Sequence, residues 1–151
     1  MALTDFLPVG AHVALDTNSL IYHVEEHLEF ASVVTPVFER IHAGTLTGHV
    51  SALSLMEVLV VPFRHAELGL ANRYRELLYR SSNLILHEIT PDIAEIAADI
   101  RARYRLTTPD AIVGATALEA GCTHFVTNDG RFRAVPNIEV LVIREHAEEK
   151  G

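Results

Sequence analysis

The chain has 151 residues, a net charge of −8, 49% apolar and 21% charged residues, and one cysteine. A chain of this length forms one domain that buries roughly 70% of its unfolded surface, and this composition excludes a disordered chain. The lone Cys122 excludes an internal disulfide and any multi-cysteine zinc site, while the acidic balance argues against a plain basic nucleic-acid coat.

Val13–Asp16 reads as a short buried strand that turns at Asp16–Ser19 into a helix running towards His27. A second helix is expected from about Phe30 to Ala43, with Gly44 as its C-cap. Val50–Ala52 is a short strand, and Ser54 opens a helix carrying Leu55, Met56, Val58 and Leu59. An arginine-rich helix follows from about Ala66 to Ser81, with Leu70, Tyr74, Leu77 and Leu78 on one face. Leu84–Ile89 is the third strand. Thr90-Pro91 starts an amphipathic helix with Ile93, Ile96, Ala97, Ile100 and Tyr104 at helical spacing. Thr108-Pro109 starts another helix, which Gly121 ends; Thr123–Thr127 and Ile138–Ile143 complete the strands. Strands alternating with helices give an α/β fold, with a parallel sheet of about five strands covered on both faces.

Ligands in open α/β sheets bind beyond the carboxyl ends of the strands. Asp16 ends the first strand, Glu57 follows the second, and Asn128-Asp129 ends the fourth. Asp110 opens the helix leading into that fourth strand, so it returns to the same rim; the helix from about Asp92 to Arg105 must then lie obliquely. Carboxylates crowded on one rim repel one another, and a hard cation removes that penalty. Oxygen-only ligands suit Mg²⁺ or Mn²⁺, which acidifies bound water and stabilises charge on a phosphoryl oxygen. Phosphodiester hydrolysis is the chemistry that fits.

The runs Leu15-Asp16-Thr17-Asn18-Ser19-Leu20-Ile21-Tyr22, Ser51-Ala52-Leu53-Ser54-Leu55-Met56-Glu57, Thr108-Pro109-Asp110-Ala111-Ile112-Val113-Gly114-Ala115 and Phe125-Val126-Thr127-Asn128-Asp129, followed by Phe132, resemble in order the motifs of PIN domains. The similarity covers about residues 11–144 and is closest to VapC-type toxins of toxin–antitoxin pairs. It implies a single PIN domain over 1–151 with a three-layer fold. It also implies an Mg²⁺- or Mn²⁺-dependent endoribonuclease acting on RNA, a homodimer, and a small antitoxin partner. By position, Asp16, Asp110 and Asp129 would bind metal directly. Glu57 would bind it directly or through water and help position the attacking water. Thr17, Asn18, Thr127 and, more loosely, Asn128 would orient the acids. Arg105, Arg131 and Arg133 are candidates for the RNA backbone, along with Arg101 and Arg103.

Each acid alone has a local explanation: Ser54-x-x-Glu57 is a capping box, Asp110 suits a helix N-terminus, and Asn128-Asp129-Gly130 reads as a turn. His23-Val24-Glu25-Glu26-His27 matches a zinc-protease pattern, which nine histidines make easy to meet by chance. Phosphatases and receivers that also place acids at strand ends rely on a lysine, and the only lysine is Lys150 in the tail. The alternatives are a PIN-fold binding module without catalysis and a PIN nuclease outside a toxin–antitoxin pair. Met1–Gly10 has no basic start, and Leu53–Phe63 is interrupted by Glu57 and Pro62, so a cytoplasmic protein without a membrane segment is expected.

Overall fold

The computed structural model describes residues 1–147; Lys150 lies outside them. The strands are β1 (His12–Leu15), β2 (Thr47–Ser51), β3 (Leu84–His87), β4 (His124–Thr127) and β5 (Glu139–Val142). They form one parallel sheet in the order β3-β2-β1-β4-β5. The helices are α1 (Thr17–Val24), α2 (Ala31–His42), α3 (Ala52–Arg64), α4 (Leu68–Arg80), α5 (Pro91–Arg103) and α6 (Thr108–Glu119). Three short 3₁₀ turns, at Leu3–Phe6, Gly130–Ala134 and Ile143–His146, were not signalled by periodicity. No helix among the described residues is long and apolar enough to cross a membrane.

The two-residue period of β1 divides the core. Val13 and Leu15 face one side with Leu20, Val34, Phe38, Ile41, Val58, Tyr74 and Leu84, so α1 to α4 cover that face. Ala14 faces the other side with Phe125, Ile93, Ala97, Ile100 and the small residues of α6. Helix α6 buries Ala111, Val113, Gly114, Ala115, Thr116 and Ala117, more than one stripe of its surface. It is sandwiched between the sheet and α5, and small side chains let it approach both. The result is the expected three-layer α/β arrangement.

Several boundaries differ from the sequence reading. Strand β2 begins at Thr47 rather than Val50, because Gly48 and His49 pair with β1 on one side and β3 on the other. Strand β3 stops at His87, where its partner Ser51 ends β2, and not at Ile89. Ser51, not Ser54, caps α3 through its side chain, which accepts from Leu53 N. Glu57 therefore sits in the second turn of α3, and the capping-box explanation for it falls away.

Gly48 on β2 is a packing requirement. A Cβ there would lie 2.6 Å from Leu84 Cδ1 and 2.7 Å from Ile41 Cδ1. Both are ends of flexible side chains, so the neighbours can turn away at the expense of rotamer strain. Gly48→Ala is expected to lower unfolding stability by about 1–3 kcal/mol; an unchanged denaturation midpoint would show that the space is spare.

Candidate metal centre

The order β3-β2-β1-β4-β5 has its switch point between β1 and β4, where consecutive connections depart to opposite sides. A crevice opens there at the carboxyl ends of the strands, and the chain enters it from four places. Asp16 follows β1, Glu57 stands on α3, Asp110 is in the first turn of α6, and Asp129 follows β4. These four acids line one cavity of about 160 Å³ together with Thr17, Asn18, Val113 and Phe132.

Asp16 is the most constrained of them. As N-cap of α1, its Oδ1 accepts from Ser19 N at 2.9 Å and Ser19 Oγ at 2.8 Å. Its Oδ2 accepts from Thr127 Oγ1 at 2.6 Å. Burial raises its pKa above the ordinary carboxylate value; those three hydrogen bonds oppose the rise, and the charge of Asp110 adds to it. Thr127 Oγ1 also accepts from Asp129 N at 3.0 Å, so one hydroxyl joins the ends of β1 and β4. Thr17 Oγ1 donates to Glu57 Oε1 at 2.7 Å and lies 2.9 Å from Ser54 Oγ, tying α1 to α3.

Asp129 caps the following 3₁₀ turn by accepting from Arg131 N at 2.9 Å. The Arg131 side chain folds back onto the same carboxylate. Nε lies 3.0 Å from each oxygen, and Nη2 is 2.6 Å from Asp129 Oδ2 and 3.5 Å from Asp110 Oδ2. The Arg131 contact holds the Asp129 carboxyl below its usual range, against a smaller opposing effect of burial. The polar side chains lining the cavity are four carboxylates, the Thr17 hydroxyl and the Asn18 amide, an oxygen-rich set that suits a hard divalent cation. No three acidic, histidine or cysteine side chains among the described residues are already gathered tightly enough to hold an ion.

Of the other residues singled out in the sequence, Thr17 and Thr127 touch the acids directly, and Asn18 lines the cavity. Asn128 turns elsewhere: its Nδ2 donates to Tyr22 Oη at 3.2 Å and its Oδ1 accepts from Arg144 N at 2.9 Å. Arg133 pairs with Glu145, Arg103 with Asp99, and Arg101 donates to Thr108 Oγ1 at 2.9 Å, while Arg105 is exposed. Ser19 and Ser54 are buried contributors that the sequence reading missed; the Asp16-x-x-Ser19 spacing of a side-chain cap was the signal for Ser19.

The zinc-protease pattern dissolves. Helix α1 ends at Val24; His23 Nδ1 bonds to Thr35 Oγ1, and His27 Nδ1 accepts from Glu29 N and Phe30 N. The Cys122 thiol is buried and pushed up to about 12, which leaves it no thiolate reactivity near neutrality.

The PIN domain family matches residues 13–138. No curated protein matches the chain. Among solved structures, a toxin–antitoxin complex from Klebsiella pneumoniae is 27% identical, with TM-score 0.65 over 86% of this chain and 96% of that one. VapBC2 from Rickettsia felis, solved with a promoter DNA fragment, is 15% identical, with TM-score 0.67 over 87% and 98% of the two chains. VapC20 from Mycobacterium tuberculosis, a Sarcin-Ricin loop cleaving toxin, is 19% identical, with TM-score 0.66 over 85% and 98%. The family match takes in Asp16, Glu57, Asp110 and Asp129 and spans most of the sequence, and on it the chain belongs to the PIN domain family.

Proposed function

We propose that the protein is a metal-dependent endoribonuclease that hydrolyses RNA phosphodiester bonds, and that it is the toxin of a toxin–antitoxin pair. The observation that carries the nuclease reading is the cavity at the β1/β4 switch point, lined by carboxylates from four separate segments. Crowded like charges of this kind are costly unless a cation is shared among them. Bound Mg²⁺ or Mn²⁺ supplies a nucleophilic water and neutralises charge on the phosphoryl oxygens.

The chain's own residues do the rest. Asp16, Asp110 and Asp129 would hold the ion, and Asp16 is fixed in place by Ser19 and Thr127. Glu57, oriented by Thr17, would hold the ion directly or through water and would accept a proton from the attacking water. Asn18 adds to the polar lining, and Val113 and Phe132 add apolar side chains to it. Arg105 is the exposed cation nearest in sequence to Asp110 and serves the RNA backbone; Arg131, folded onto Asp129, and Arg133, held by Glu145, serve it less directly.

The toxin assignment, and with it a small antitoxin partner, is supported by structural neighbours that are toxin–antitoxin complexes; a homodimer and a cytoplasmic site of action belong to the same proposal. The Klebsiella pneumoniae structure is a toxin–antitoxin complex that covers nearly its whole chain at 27% identity. Incubation of the purified protein with mixed single-stranded RNA is the deciding experiment. Cleavage is expected with Mn²⁺ or Mg²⁺ and its loss with EDTA, with DNA of the same sequence spared. Cleavage that persists in EDTA would refute the metal-dependent mechanism.

A further inference from the structure

Arg131 occupies the acid cluster in a way its place in the sequence does not suggest. Its Nε and Nη2 engage both oxygens of Asp129, and Asp129 Oδ1 also accepts from Arg131 N, so one residue takes up most of that carboxylate's accepting capacity. The same Nη2 leans 3.5 Å towards Asp110 Oδ2, and Arg131 is the only hydrogen-bonding partner of the Asp110 carboxylate among the described residues. A guanidinium therefore bridges two of the four acids lining the cavity.

We propose that Arg131 is a resident counter-ion that a divalent cation must displace: its side chain pairs with Asp129 and offsets part of the charge of Asp110 in the metal-free protein, and swings out when the ion is taken up. This rests on the metal-dependent reading above. Two observations argue for exchange over coexistence. The oxygens a hard cation needs on Asp129 are those the fork already holds, and a dication beside a bound guanidinium sets like charges against each other. The side chain is also free to leave, being 59% exposed and anchored, among the described residues, to no group outside this pair of acids. Its neighbour Arg133, by contrast, is held outward by Glu145.

The test is Mn²⁺ binding, followed by the loss of the free-ion electron paramagnetic resonance signal, for wild type, Arg131→Gln, Arg131→Lys and Asp16→Asn. Removing the competing charge in Arg131→Gln is expected to tighten Mn²⁺ binding about fivefold, with Arg131→Lys in between because it keeps charge but loses the fork. Equal or weaker binding by Arg131→Gln, alongside clear binding by wild type and its loss in Asp16→Asn, overturns the counter-ion proposal and leaves the metal centre standing. A wild-type protein that binds no Mn²⁺ overturns both.

Discussion

Asp16→Asn is expected to lower metal-dependent RNA cleavage by at least about 10³-fold while leaving the fold intact. The two halves of this expectation have separate physical origins. An amide is a poor ligand for a hard cation, so the buried wall of the site would lose the charge with which it would hold an ion. The structural duties of the side chain survive. Asparagine is as good an N-cap as aspartate, its Oδ1 can still accept from Ser19 N and Oγ, and its Nδ2 can donate to Thr127 Oγ1. Because burial already opposes the charge on Asp16, the metal-free variant should melt no lower than wild type. Cleavage rates and melting curves check the two halves independently. Full activity in the variant would remove Asp16 from the mechanism, and a large drop in melting temperature would mean that its contribution is structural.

The second large effect is on stability and lies away from the acids. On the sheet face that Ala14 shares, His12, His49 and His87 stand in a row across β1, β2 and β3. His12 Nδ1 and His49 Nε2 are 2.8 Å apart, as are His49 Nδ1 and His87 Nε2. Central His49 is 5% exposed, and burial together with its histidine neighbours lowers its pKa from 6.5 to about 4. Burial shifts His87 in the same direction. The unfolded chain therefore binds a proton at His49 near pH 6.5 that the folded chain refuses until near pH 4. Between those values the unfolded state holds more protons, so the stability this site contributes is complete above pH 6.5 and is lost as pH falls. For His49 alone the loss is roughly 3 kcal/mol between about pH 7 and about pH 4. Denaturant titrations across that range should show the decline, and His49→Leu should flatten it. A wild-type profile as flat as that of the variant would mean that the row takes up protons without cost.

The acids were legible before any coordinates because their positions follow from topology. Asp16 comes directly after one short apolar run and Asp129 just beyond another, both runs read as strands, and strand ends at a switch point share a rim. The histidine row was not legible: its members are 37 and 38 residues apart, and only the register of three parallel strands aligns them. The boundaries of β2 and β3 failed for the same reason. Thr47-Gly48-His49 has little strand character of its own, and Glu88-Ile89 looks extended but has no strand beside it. Ser54 misled because a capping box depends on where the helix starts, and the side chain of Ser51 had already claimed that place. Arg131 was visible as a charge next to Asp129, but a sequence does not say whether a flexible cation points outward or folds back onto its neighbour.

The pairing of β1 with β4 has a consequence for the birth of the protein. Asp16 is made early, yet the hydroxyl that holds it belongs to Thr127, 111 residues later. More than a hundred residues must follow Asp16 before its carboxylate is fastened and Asp129 exists to complete the set. No product truncated before β4 can assemble the cluster, so on the proposed function a fragment that stops short of Thr127 and Asp129 is inactive.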